Sequence, residues 1–163
     1  MMRILVAIPC LALLLLGGAH AQLSFGATIP EGSALIVSHD DVEFDLSQTP
    51  YPPPSFPWSF EPTAPEGPLE IQLYSNLDGG WALTVEFEGL LSDDGALLLP
   101  SQVRYRLDGS GEWFPLGQVV TLLSGYGVSH DYQRHLLEFR LELMGNERPG
   151  AYAGTLVFSL TKP

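Results

Sequence analysis

Arg148-Pro149-Gly150-Ala151-Tyr152-Ala153-Gly154-Thr155-Leu156-Val157-Phe158-Ser159-Leu160-Thr161 is the stretch on which the reading of this chain turns. Pro149-Gly150 is turn chemistry, one residue fixing φ and the next supplying the conformations other residues avoid. Beyond it Tyr152, Leu156, Phe158 and Leu160 fall on even positions with Gly154, and Ala153, Thr155, Ser159 and Thr161 fall on odd ones. Successive strand residues point to opposite faces, so the stretch reads as a strand with one buried row. A half-buried strand is not stable alone. It requires a sheet beside it and a second layer beneath it.

The residues upstream supply both. Leu137, Phe139, Leu141 and Leu143 alternate with Glu138, Arg140 and Glu142, and Val103, Tyr105 and Leu107 alternate with Arg104 and Arg106. Leu69, Ile71 and Leu73 alternate with Glu70 and Gln72, and Trp81, Leu83, Val85 and Phe87 alternate with Ala82, Thr84, Glu86 and Glu88. The glycine-rich Asn76-Leu77-Asp78-Gly79-Gly80 between these last two predicts a hairpin. Ser92-Asp93-Asp94-Gly95 and Asp108-Gly109-Ser110-Gly111 are further turns, and 113–116 and 119–123 add short apolar pieces. Nearer the start, Leu23, Phe25, Ala27 and Ile29 alternate with small polar residues before Pro30-Glu31-Gly32, followed by Ala34-Leu35-Ile36-Val37 and by Val42, Phe44 and Leu46. No stretch carries a capped helix of three turns. The expectation is all-β: a two-layer antiparallel immunoglobulin-like sandwich of about 7–9 strands. Trp81, Val85, Phe139, Leu141, Tyr152 and Phe158 are its expected core. The outward rows place Glu and Arg on neighbouring strands, where each opposite-charge pair contributes about 0.2–1 kcal/mol and helps set register.

Between residues 49 and 68 stand Pro50, Pro52, Pro53, Pro54, Pro57, Pro62, Pro65 and Pro68. Proline fixes φ and has no amide hydrogen for a ladder, so this stretch is expected to be an extended loop without regular strand or helix. Its aromatics Tyr51, Phe56, Trp58 and Phe60 are expected to pack back on the sandwich, because long structureless loops are uncommon unless functional or tied down.

Met1-Met2-Arg3, an apolar run over residues 4–16 and then Gly17-Gly18-Ala19-His20-Ala21 have the three parts of a signal peptide. The apolar run is shorter than the roughly 20 residues that span a bilayer. The expected organisation is a signal peptide at 1–21 and one domain over 22–163 containing the proline-rich loop at 49–68, with no membrane span once the signal is removed. The single cysteine, Cys10, lies in the signal and is followed by leucines rather than small residues, which argues against lipidation. The mature chain would then hold no disulfide and would depend on core packing. The formal net charge is −12, and loss of Arg3 makes it one unit more negative. Such a chain repels nucleic acid and anionic lipid, and no basic cluster offsets the charge.

The residue types of a hydrolase triad occur in Ser129-His130-Asp131, but neighbours in an extended segment point to opposite faces, so His130 cannot serve both. His39, His130 and His135 have no zinc-ligand spacing. Asp40-Asp41, Asp78, Asp93-Asp94 and Asp131 lie on turns without the spacing of a calcium loop. Glu86 and Glu88 share one outward row rather than facing across a cleft. No catalytic residue, cofactor or metal is therefore expected, and the chain reads as a protein that is not an enzyme. Aromatic rings on a sandwich can serve sugars or partners, and the candidates are Trp58, Trp113 and Tyr126, since Trp81 lies in a buried row.

The order Tyr74-Ser75-Asn76, Trp81-x-Leu83-x-Val85, Leu99-Pro100-Ser101 before Val103-x-Tyr105-Arg106, and the closing Arg148-Pro149-Gly150-x-Tyr152-x-Gly154-Thr155-Leu156 resembles secreted bacterial immunoglobulin-like sandwiches. Within that group it is similar to fimbrial and spore-coat-type subunits and WxL-type surface modules. The resemblance implies a secreted, non-enzymatic structural or adhesive component of the cell surface or periplasm, with other surface proteins or glycans as partners. A carbohydrate-binding module is the alternative. The alternating Leu23, Phe25 and Ile29 also suit a donor strand lent to a neighbour. The completeness of the closing strand favours a monomer in which that segment pairs within its own chain.

Overall fold

A computed structural model describes residues 26–47 and 49–162. The expected signal peptide at 1–21, Cys10, Leu23 and Phe25 lie outside the described residues. Twelve strands form among those described: β1 Ser33–Val37, β2 Trp58–Phe60, β3 Leu69–Ser75, β4 Gly80–Phe87, β5 Leu90–Ser92, β6 Leu97–Leu98, β7 Val103–Leu107, β8 Phe114–Pro115, β9 Val119–Tyr126, β10 Gln133–Leu143, β11 Tyr152–Ala153 and β12 Leu156–Thr161. One 3-10 turn, Pro100–Gln102, precedes β7.

All pairings are antiparallel. The larger sheet runs β1-β3-β10-β7-β8, with β2 also on β10, and the second layer runs β12-β4-β9 beside a small sheet β11-β5-β6. Ile71 and Leu73 of β3, Leu83 and Val85 of β4 and Leu137 and Phe139 of β10 meet in one core. The fold is thus the expected all-β sandwich-like arrangement. It has more strands than anticipated because long runs are interrupted. The alternation read from the sequence matches the buried rows of β3, β4 and β10 residue by residue. Trp81, Val85, Phe139 and Leu141 are buried as expected, whereas Tyr152 and Phe158 are only half-buried. The reason is position: β11 and β12 are outermost strands of their sheets, each with one neighbour.

The expected hairpin of β3 with β4 does not form, since the two strands belong to opposite layers. The connection at 76–79 is held along the side of the larger sheet. Asn76 Oδ1 accepts from the Gly32 amide at 2.5 Å and its Nδ2 donates to the Pro30 carbonyl at 2.9 Å. The link from β9 to β10 crosses the layers beside it. There the Gly127 amide donates to the Gly79 carbonyl at 2.8 Å.

The closing stretch is likewise two strands. Register places Leu156 opposite Phe87 and Ala153 opposite Leu91, so three residues, 88–90, face two, 154 and 155. This is a bulge, and it bends both chains. Gly89 adopts φ +105°, and a Cβ on Gly154 would run into the Gly89 carbonyl.

The proline-rich stretch also departs from expectation, because β2 pairs Trp58, Ser59 and Phe60 with Leu143, Glu142 and Leu141 of β10. The prolines leave 58–61 free between Pro57 and Pro62, enough for three residues of ladder. Phe60 is buried and Trp58 packs on the core, but Tyr51 and Phe56 remain at the surface. Residues 42–46 form one isolated bridge, Glu43 to Ala64, with Val42, Phe44 and Leu46 against the core. The expected first strand has no counterpart at 26–29: no strand forms there, and Ile29 is 82% exposed. Asn76 directs the chain into β1 instead.

Candidate functional site

The outward rows of the larger sheet carry its polar chemistry. The odd residues are buried throughout β3 and from Leu137 onward in β10, so Glu70, Gln72 and Tyr74 point outward with Arg134, Leu136 and Glu138. Gln72 lies opposite Arg134, Glu70 opposite Leu136, and on the other side Gln72 lies opposite Ile36 and Tyr74 opposite Ala34. Tyr132, just before β10, stacks beside Tyr74 with ring centroids 5.7 Å apart and planes inclined by 39°. Four residues along β3 from Tyr74, both Glu70 oxygens are engaged. Oε1 accepts from Gln72 Nε2 at 2.6 Å and Oε2 pairs with Arg134.

Further along the same face are the expected cross-strand charges. Arg106 lies opposite Glu138 and binds it with two N–H groups, at 2.6 and 2.8 Å, while Arg104 Nε reaches Glu142 at 2.8 Å. Hydrogen bonding from Arg106 holds the Glu138 carboxyl below the ordinary range, and the same bond raises the Arg106 guanidinium. Trp113 sits over this row with the guanidinium carbons of Arg106 and Arg140 at 4.7 and 4.4 Å from its ring. Arg140 Nε is buried there with no hydrogen-bond partner among the described residues.

The three aromatics singled out from the sequence do not converge. Trp58 is on β2, half-buried and stacked on Phe60 at 5.8 Å. Trp113 is engaged by the two arginines. Tyr126, at the end of β9, is 88% exposed beside a shallow cleft of about 220 Å³ that Trp81, Ser129 and His135 also line. Of the donor-strand residues only Ile29 is described.

The types needed for acyl transfer are present but committed elsewhere. The Ser129 hydroxyl accepts from the Ser75 amide at 2.8 Å and donates to the Ser75 carbonyl at 3.0 Å, so it joins the two layer crossings. His135 Nδ1 lies 2.9 Å from Asp108 Oδ2, and Asp108 Oδ1 accepts from the Leu136 amide at 2.8 Å. Desolvation raises the Asp108 pKa, but the bonds to His135 and Leu136 outweigh it and the carboxyl is held low. Asp108 has φ 51°, a left-handed turn conformation that Asp tolerates, and its carboxylate closes that turn on β10. Among the described residues no three His, Cys, Asp or Glu side chains gather as a metal site. Nor is any helix there long and apolar enough to cross a membrane.

No protein-family model matches the chain, and no curated protein does. One solved structure is similar in shape. It is a family 123 glycoside hydrolase from Clostridium perfringens, studied for glycolipid glycan hydrolysis, at 10% identity and a TM-score of 0.42. The overlap takes in 80% of this chain and 25% of that one, so this chain spans about a quarter of the enzyme's length. At that distance the likeness carries no functional argument.

Tyr74 and Tyr132 are not among the ring candidates offered by the sequence. A parity signal was present: Tyr74 shares its row with Glu70 and Gln72, and Tyr132 shares its row with Arg134 and Glu138, which puts both rings outward.

Proposed function

We infer that this protein is a secreted, non-enzymatic structural or adhesive component of the bacterial cell surface or periplasm. The observation that carries the reading is the outer face of the second layer. In β4 the outward residues are Ala82, Thr84 and Glu86. Opposite them stand Thr161, Ser159 and Val157 of β12 and Ser124, Thr121 and Val119 of β9. Three strands therefore present one charge, Glu86, on a chain whose formal net charge is −12. Val157 and Val119 flank Glu86, and the paired Leu91 and Leu97 of the neighbouring small sheet are exposed as well. A surface of short and apolar side chains loses little side-chain entropy and little hydration on contact, which suits lasting attachment better than turnover. The commitment of Ser129 to the backbone supports the same reading.

The test is retention on envelope fragments of the producing bacterium. Val119 and Thr121 are exposed, and Val119 lies opposite Glu86, so the uncharged V119Q/T121Q is expected to keep the melting temperature while retention falls by about tenfold or more. Undiminished retention of a folded double variant would overturn the reading. A carbohydrate-binding module is the second reading, and the outward tyrosine pair of the larger sheet favours it.

A further inference from the structure

We propose that the outer face of β3 and β10 is a saccharide platform, with Tyr74 and Tyr132 as its stacking surface and Gln72, Arg134 and Glu70 as its hydrogen-bonding edge, and that its ligand is an uncharged glycan chain. The inference rests on the carbohydrate-binding form of the function above and assigns it a site away from Trp58, Trp113 and Tyr126.

Ring placement comes first. Tyr74 and Tyr132 lie side by side at 5.7 Å, and Tyr132 is 46% exposed. On the far side of Tyr74 the facing residue of β1 is Ala34, whose methyl group leaves the ring uncrowded. A pyranose presents a face of C–H groups, and an aromatic surface is its natural apolar partner. Tyr74 belongs to β3, which is flanked by β1 and β10, and Tyr132 immediately precedes the first residue of β10, where Gln133 pairs with Leu73 of β3. A ring held by a strand with a neighbour on each side, as Tyr74 is, loses little freedom when a ligand settles on it.

The polar edge is the second observation, and it selects the class of ligand. Gln72 and Arg134, directly opposite each other, both bind Glu70. Glu70 fixes their position and cancels the charge of Arg134. The Arg134 side chain nevertheless remains 67% exposed, so its other N–H groups face solvent as donors in a fixed plane. Such an edge can donate to the ring and hydroxyl oxygens of a sugar, while the Gln72 carbonyl can accept from a hydroxyl. An anionic sugar gains little here, because Arg134 is already neutralised, Asp131 lies beside Tyr132 with its carboxylate on the Tyr132 amide, and the whole chain is acidic. The alternative arginine, Arg140, is laid against Trp113 and has Arg104 directly opposite.

A glycan array of neutral, amino and uronic-acid oligosaccharides, followed by calorimetry with the best oligosaccharide, tests the assignment on the full chain. Saturable binding to a neutral glycan is expected, weakened by about tenfold or more in Tyr132→Ala and Tyr74→Ala and unchanged in Tyr126→Ala and Trp58→Ala. Tyr132→Ala is the decisive variant, since its exposed ring is not part of the core, and an unchanged melting curve establishes that it is folded. Binding that survives both tyrosine variants but is lost in Trp58→Ala, Trp113→Ala or Tyr126→Ala would overturn this site and leave the carbohydrate reading standing. A preference for uronic acids abolished by Arg134→Gln would overturn the neutral class. No saturable binding to any glycan would overturn both the site and the carbohydrate reading, leaving attachment through the second layer as the function.

Discussion

At the scale of single residues, a few side chains fix which layer each strand joins. Ser129 shows this most clearly. Its hydroxyl serves the buried Ser75 amide and carbonyl together, where both residues are closed to water. Ser129→Ala would leave the Ser75 amide without that partner, at an expected cost of about 1–3 kcal/mol in urea unfolding. A variant as stable as the parent would show that the two layer crossings are held by Asn76 and the backbone alone. None of this was legible beforehand, because Ser129 stood out in the sequence only as the first member of Ser129-His130-Asp131. A serine that caps backbone groups and a serine that attacks a substrate look the same in sequence; they differ in which atoms the hydroxyl reaches. Tyr74 and Tyr132 were overlooked for a related reason. Residue type and nearness to proline do not distinguish a solvent-facing ring from a packed one; the parity of its row does.

At the scale of elements, the period of two is reliable and pairing is not. Ile71, Leu73, Leu83, Val85, Leu137 and Phe139 all fall on the buried side that alternation assigned them. Alternation says which face is buried and nothing about which strand lies alongside, so β3 and β4 read as a hairpin although they lie in opposite layers. The closing stretch failed more subtly. Gly154 lay in phase with Tyr152 and Leu156 and read as one member of a buried row, whereas it is the point where the chain passes close over Gly89. A methyl group there meets the Gly89 carbonyl and the Leu90 side chain. Gly154→Ala is therefore expected to cost about 1–3 kcal/mol by forcing the two bent chains apart, with protection from hydrogen exchange lost first at Tyr152 and Ala153. Uniform loss across β4 and β12 instead would show that the bulge is not an independent joint. Proline-based exclusion was too broad on the same account: it holds at each proline and lapses over the few residues between Pro57 and Pro62.

At the scale of the whole molecule, the two outer faces differ in chemistry. One is laced with Arg–Glu pairs and tyrosines, and the other carries small and apolar side chains with a single charge. A fold with two unlike faces can hold a ligand on one while lying against a surface with the other, which makes the adhesive and carbohydrate readings compatible. Assembly is a separate question, and the segment before β1 decides it. Residues 26–29 take no strand, and Ile29 is open to water, so nothing there contributes to either layer. Among the described residues, Pro30 and Gly32, held by Asn76, are the first tied to the sandwich. The expectation of a monomer paired within its own chain predicts that a protein beginning at Pro30 melts more than about 4 °C below one beginning at Gln22, the shift that corresponds to about 1 kcal/mol in a domain of this size. Light scattering on both then separates the remaining arrangements. Equal monomer masses would mean that Leu23, Phe25 and Ile29 lend themselves to no neighbour. Chains formed by the longer protein and not by the shorter would show that the alternating row completes a sheet edge of another copy, and the monomer expectation would fall. Equal melting of the two monomers would overturn the expectation that the row pairs within its own chain.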